Sequence, residues 1–310
     1  MEQNLKTQRL GETNFNKHGK KMTIIEYNNA HDIIVKFDNG YTKKCEYKQF
    51  KKGTVKNIKE KVGEINYNIY GNEMKIIDFT NVLNIIVKFK NGFITKTRYN
   101  LFKRGNVSSP YDKTVYNTGY IGEGKYRVSI NNKMTLRYQI WSDMIERCYD
   151  KKKQKRNPTY IDCTVCNEWH NYQVFSKWVD ENYYEINNQK IALDKDILIK
   201  NNKIYSPDTC LFVPQNINTL FIKSDKIRGD YPIGVTFDKK NNRFFAQCKI
   251  GNKINKYLGY YNTPEEAFYA YKKFKEKYIK QVADEYKNKY PNFPRKLYDA
   301  MYKYKVEITD

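Results

Sequence analysis

YPIGVTFDKKNNRFFAQCKIGNKINKYLGYYNTPEEAFYAYKKFKEKYIKQ, residues 231–281, breaks into three strand-like runs and one long helical pattern. The runs IGVTF, RFFAQCKI and NKYLGYY are separated by the turn sequences DKKNN and GNK, the signature of a three-stranded antiparallel meander. Thr263, Pro264, Glu265 and Glu266 then mark a helix start: a hydroxyl N-cap, proline at the first helical position and a glutamate placed to close a capping box. Ala267, Ala270, Tyr271 and Phe274 recur at helical spacing and supply the stripe that covers one face of the sheet. The other face is left with Thr236, Arg243, Phe245, Gln247, Lys249 and Lys256.

The composition gives that open face a partner class. Fifty-seven Lys and Arg stand against thirty-four Asp and Glu, a formal charge of +23. Such an excess makes a compact chain self-repelling unless a polyanion neutralises it, and nucleic acid is the expected partner. The sequence has neither an apolar run of about 18 residues nor a clean basic amphipathic helix, so a membrane is not expected. The first residues, MEQNLKTQRLGETNFNKHGKK, lack the apolar stretch of a secretory signal, which predicts a cytosolic protein, in the host cell if the gene is phage-borne. The six cysteines, at 45, 148, 163, 166, 210 and 248, are scattered, and reduced thiols are the default.

Upstream lies a gapless internal repeat. GETNFNKHGKKMTIIEYNNAHDIIVKFDNGYTKKCEYKQFKKGTVKN from Gly11 aligns with GEINYNIYGNEMKIIDFTNVLNIIVKFKNGFITKTRYNLFKRGNVSS from Gly63. Within each copy IIVKF, a DNG or KNG turn and a second alternating run predict a β-hairpin. Each copy resembles the small twisted barrels of the Tudor-like kind in size and strand pattern. Its KKG or KRG after the last aromatic is either a solvated turn or a phosphate contact. Residues 111–134 predict two further short strands or a loose connector.

LRYQIWSDMIERCYD predicts a helix with Tyr138, Trp141, Ile145 and Cys148 on one stripe, KKKQKRNPTY a basic loop, and NYQVFSKWVDENYY a second helix with Phe175, Trp178 and Val179 inward. The pair Cys163 and Cys166 has zinc-ligand spacing, and Cys148 and Cys210 are the candidates to complete a four-sulfur site. Small buried thiols are the preferred reading.

Two resemblances add to these readings. The segment from IGV through KYLGYYNTPEEAFYAY resembles the ethylene-response-factor, or Apetala-type, DNA-binding domain. That resemblance implies an exposed sheet face in the major groove. It carries over Thr236, Arg243, Gln247, Lys249, Lys256 and Tyr257 as contacts, with Lys239 in the adjoining turn beside them. Thr236 stands where the plant domains usually have arginine.

The order of Trp141 to Tyr149, Val165 to Trp169, Leu193 to Asp196 and Ser206 to Cys210 resembles phage HNH-type, homing-like endonucleases. This implies a central ββα domain holding one Mg²⁺ or similar divalent ion through Asp194 and Asn216 or Asn218, with no small-molecule cofactor. Lys195 falls at the place of the catalytic histidine. A protonated ammonium is a poor base, so Asp196 or His170 is needed in its stead. Three readings stay open: a metal-dependent DNA endonuclease, a catalytically degenerate DNA-binding or anti-defence protein, and a structural or inhibitory role.

The expectation is therefore an α+β chain. It has a tail over 1–10, β repeats over 11–58 and 63–110, a connector over 111–134 and an HNH-like domain over 135–225. A DNA-binding module over 229–288 and a tail over 289–310 follow.

Overall fold

The computed structural model describes residues 8–186, 189–222, 230–251 and 254–310. The chain is α+β, with several small, mostly antiparallel sheets, and it separates into two compact units, Met1–Asp112 and Lys113–Asp310.

The first unit holds the repeats. Copy one is the meander β1 (Thr13–Phe15), β2 (Lys21–Asn29), β3 (Asp32–Phe37) and β4 (Thr42–Cys45), closed by the short helix α1 (Tyr47–Lys51). Copy two repeats it with β5 (Ile65–Tyr67), β6 (Glu73–Asn81), β7 (Asn84–Phe89), β8 (Ile94–Thr97) and α2 (Tyr99–Lys103). Alternation puts Met22, Ile24, Ile33, Val35 and Phe37 in one core and Met74, Ile76, Ile85, Val87 and Phe89 in the other. Each such side chain contributes about 1.5–3 kcal/mol by leaving water.

The sheets are open meanders, not the barrels that their size and strand pattern resemble. The glycine of KKG and KRG is structural. Gly53 has φ +64°, and a Cβ there would lie 2.7 Å from the Phe15 carbonyl oxygen; Gly105 has φ +72° and a gap of 2.8 Å to Tyr67 O. The preceding lysines are paired, Lys51 with Glu12 at 3.0 Å and Lys103 with Glu64 at 2.9 Å. Lys52 and Arg104 remain exposed.

The second unit begins with a two-residue hairpin, β9 (Ser129–Ile130) and β10 (Lys133–Met134). Then come α3 (Leu136–Tyr149), α4 (Lys151–Arg156), β11 (Thr164–Val165), α5 (Tyr172–Asn182), β12 (Ile191–Asp194), β13 (Ile204–Tyr205), β14 (Leu211–Pro214) and α6 (Gln215–Asn218). KKKQKR is helical where a loop is predicted. The Asp150 carboxylate caps the Lys153 amide at 2.6 Å, and Lys153 Nζ reaches back to Glu146 at 2.9 Å. The predicted stripes do form the core: Trp141, Ile145, Cys148, Phe175 and Val179 are buried with Trp169, Tyr172 and Phe212, and Tyr138 and Trp178 pack against them.

The chain ends with β15 (Val235–Asp238), β16 (Arg243–Ile250) and β17 (Ile254–Tyr261), then α7 (Pro264–Lys289) and α8 (Arg295–Lys303). The sheet order is β15-β16-β17, and the Thr263 and Glu266 capping box forms as the sequence predicts. Two features depart from the predicted segmentation. The first half of α7 covers this sheet through Ala267, Phe268 and Tyr271, while its second half packs Ile279, Val282 and Ala283 against Ile197, Leu211, Val213 and Ile217. One helix thus joins the β15–β17 sheet to the β12–β14 hairpin. Residues 289–310 are also no tail: Leu297 and Met301 of α8 are fully buried in the hairpin core, and Val306 is buried in the sheet core. Among the described residues no helix is long and apolar enough to cross a membrane.

Candidate nucleic-acid interface and the hairpin site

Cross-strand partners in an antiparallel sheet share a face. Val235, Ala246 and Gly259 form one such row on the helix side, while Thr236, Phe245 and Tyr260 form the next on the outer side. Gln247 pairs with Tyr257 and Lys249 with Asn255, again outward. Tyr257 is 52% exposed and Tyr260 38%, and Thr236, Arg243 and Lys249 are exposed. Lys239 is exposed in the turn that follows β15.

Lys256 differs from its expected place. It pairs with Cys248, which is buried on the helix side, so its stem leaves the sheet on that side, at the margin. A β-bulge is the reason: β17 carries one extra residue between the Tyr257 and Gly259 pairs, and Gly259 takes φ +122° to admit it. The same bulge turns Tyr260 outward, a position that strict alternation from Tyr257 would give to Gly259 and Tyr261.

The outer face carries a ring cluster held by a charge. Phe245, Tyr257 and Tyr260 have centroids 5.7 to 6.4 Å apart, tilted or edge-on. Tyr260 donates its phenol proton to Asp238 Oδ2 at 2.6 Å, and Asn241 Nδ2 donates to the same oxygen at 2.8 Å. Asp238 Oδ1 accepts from the Lys240 and Asn241 amides at 3.0 and 3.3 Å, which closes the turn. Hydrogen bonds from Tyr260 and then Asn241 hold the Asp238 carboxyl down to about 2, and the same contact raises the Tyr260 phenol. Arg243 sits at the turn end and donates to Asn262 Oδ1 at 3.2 Å.

The hairpin site is organised differently. Asp194 ends β12 opposite Leu211, and its Oδ1 accepts from the Asp196 and Ile197 amides, both at 2.8 Å. Burial pushes its carboxyl above the usual range. The Lys195 ammonium is 5% exposed as a residue and donates to both Asp196 oxygens at 2.8 and 2.7 Å and to the Asn202 carbonyl at 2.6 Å. Those three contacts match its three protons. Asn202 returns the link by donating to Lys195 O at 2.9 Å and Ile204 O at 2.7 Å. His170 Nε2 lies 3.1 Å from the Tyr149 hydroxyl, which itself accepts from the Val165 amide at 3.1 Å. Burial, and then the charge of Lys113, holds the His170 imidazole below its ordinary value.

The two asparagines lie elsewhere. The Gln215 amide donates to Lys190 O at 2.9 Å, which ties α6 to the start of β12, whereas Asp194 is at its end. The Asn216 side chain lies beside the Tyr286 hydroxyl of α7, and Asn218 follows in the same single turn. Tyr286 also donates to Gln189 Oε1 at 2.8 Å. Among the described residues no group of three or more His, Cys, Asp or Glu side chains is placed to hold a metal ion.

Cys148, Cys163 and Cys210 are buried and Cys166 half-buried, all as free thiols. Burial, with Cys163 next, pushes the Cys148 thiol up to about 12, and burial pushes Cys210 up to about 12. These sulfurs pack with Val165, Trp169 and Tyr205 in the large core. Comparisons of the chain with known protein families, with curated proteins and with solved structures return no match.

Proposed function

We propose that the chain is a double-stranded DNA-binding protein that lays the outer face of β15–β17 in the major groove, and that its hairpin site supports this face without hydrolysing DNA. The observation that carries the reading is the open row of Thr236, Phe245 and Tyr260, joined by Gln247 and Tyr257 and rimmed by Lys239, Arg243 and Lys249. Three strands spaced about 4.8 Å apart put the outer strand axes about 10 Å from each other, comparable to the major-groove width of about 12 Å. The resemblance to the ethylene-response-factor-type domain points the same way, as does the charge of +23.

On this reading the HNH-type resemblance of residues 135–225 is that of a catalytically degenerate member. Hydrolysis on that pattern needs a free base and a divalent ion held by an acid and a helix ligand. Lys195 and Asp196 are committed to each other, and Asp194 Oδ1 to two amides. His170 is tied to Tyr149, and Asn216 lies against Tyr286. On this reading no Mg²⁺ acts as a catalytic ion at Asp194.

The test is incubation of the full chain with linear duplex and Mg²⁺ or Mn²⁺. Three phosphate contacts give a log–log salt slope of about −3 or steeper for binding, and the DNA is expected to stay uncut. Cleavage that Asp194→Ala removes would restore the endonuclease reading. Failure to bind duplex at low ionic strength would remove the DNA-binding one.

A further inference from the structure

We infer that the outer sheet face reads A·T base pairs, recognising thymine by its 5-methyl group and adenine through the Gln247 amide. This recognition presupposes the duplex binding proposed above and specifies what it selects.

In the major groove the thymine methyl is the one apolar feature, and adenine offers an adjacent donor and acceptor that an amide matches with two hydrogen bonds. The centre of the face is built for both. Thr236, Phe245 and Tyr260 stand in one cross-strand row, with Gln247 and Tyr257 in the next. Tyr260 has its hydroxyl committed to Asp238 at 2.6 Å, so the ring is what remains to meet a base. The three rings brace one another at 5.7 to 6.4 Å, which fixes their edges in place before any ligand arrives. Thr236 adds a methyl of its own.

Guanine recognition commonly uses an arginine fork on O6 and N7. Arg243 is at the turn end of β16, bonded to Asn262, with Lys239 in the adjoining turn and Lys249 toward the other end of β16. In such a docking the cations at the ends of the face meet phosphates, and the rings and the Gln247 amide at its centre meet base edges. Guanine and cytosine edges set against this centre meet no arginine fork and no thymine methyl to pack, so they gain fewer matched contacts than an A·T pair.

Three alternating duplexes test this with the full chain at one fixed salt concentration: poly(dA-dT), poly(dA-dU), which lacks the methyl, and poly(dG-dC). Fluorescence anisotropy is expected to show poly(dA-dT) bound roughly tenfold or more tighter than poly(dG-dC). Loss of the methyl is expected to weaken binding roughly threefold or more. Thr236→Ser keeps the hydroxyl and removes a methyl, and Tyr257→Ala alters an exposed ring; each narrows the gap between the dT and dU duplexes. Equal affinity for those two duplexes overturns the inference while leaving duplex binding intact. So does tighter binding of single-stranded oligo(dT) than of poly(dA-dT), which would make the rings a stacking platform. Absence of binding to all three duplexes removes the proposed function itself.

Discussion

Tyr260 and Asp238, on the two edge strands of the carboxyl-terminal sheet, are joined across β16 by a 2.6 Å hydrogen bond from phenol to carboxylate. The bond ties the β15–β16 turn to β17 and sets the orientation of the outermost ring.

Its pH dependence has a definite sign. The Asp238 carboxyl lies at about 2 in the folded chain against an ordinary 3.8. A depressed carboxyl contributes stability that is present above the unfolded value and lost as pH falls through the folded one. The sheet is thus expected to lose stability between about pH 4 and pH 2, and Asp238→Asn to flatten that part of the profile. Thermal melts of both chains across this window check it; parallel profiles would show that the carboxylate contributes nothing.

Lys195 is expected to be a structural cation. Lys195→Met removes the donor to Asn202 O and to Asp196, and the loss is about 1–3 kcal/mol, the penalty for stranding a buried acceptor. Asp196→Asn lowers stability less, because its side chain is half exposed. Urea unfolding gives both values, and the reverse order would contradict the assignment.

The repeats offer an internal control. Gly53→Ala and Gly105→Ala combine a left-handed backbone with a Cβ against a carbonyl oxygen, so each is expected to lose about 2–4 kcal/mol. Gly40→Ala, at φ +83° with nothing within 4 Å, keeps only the backbone penalty of about 1 kcal/mol. Chemical denaturation of the three variants separates the contributions. A Gly40 loss equal to that at Gly53 would show that the close approach is unimportant.

Helix α8 is expected to be needed by the whole second unit. Leu297→Ala empties a fully buried position against α7 and the hairpin, with a loss of about 2–5 kcal/mol. Because α7 also covers the sheet, amide exchange is expected to rise in β15–β17 as well as in β12–β14. A rise confined to α8 would mean that the shared helix does not couple them.

These elements were unequally legible in the sequence. The repeats and their hairpins could be read because two copies register one pattern, and the α7 start because capping is local. Thr236, Phe245 and Gln247 followed from alternation before the bulge. Beyond it alternation misassigns Lys256 and misses Tyr260, and the signal, Gly259, is one glycine among ordinary strand residues. The Lys195 contact to Asn202 spans a loop with no periodicity to announce it. Residues 289–310 read as a tail because α8 is short and rich in Lys and Tyr; its sign was the Leu297 and Met301 pair one turn apart. No local pattern tells that one helix serves two cores.

The most direct measurement is photo-crosslinking of the full chain to a duplex carrying 5-iododeoxyuridine in place of thymine, followed by identification of the modified residues. The account predicts adducts at Phe245, Tyr257 or Tyr260. Adducts confined to the repeats over 11–110, or to residues of α3, α4 and α5, would contradict it.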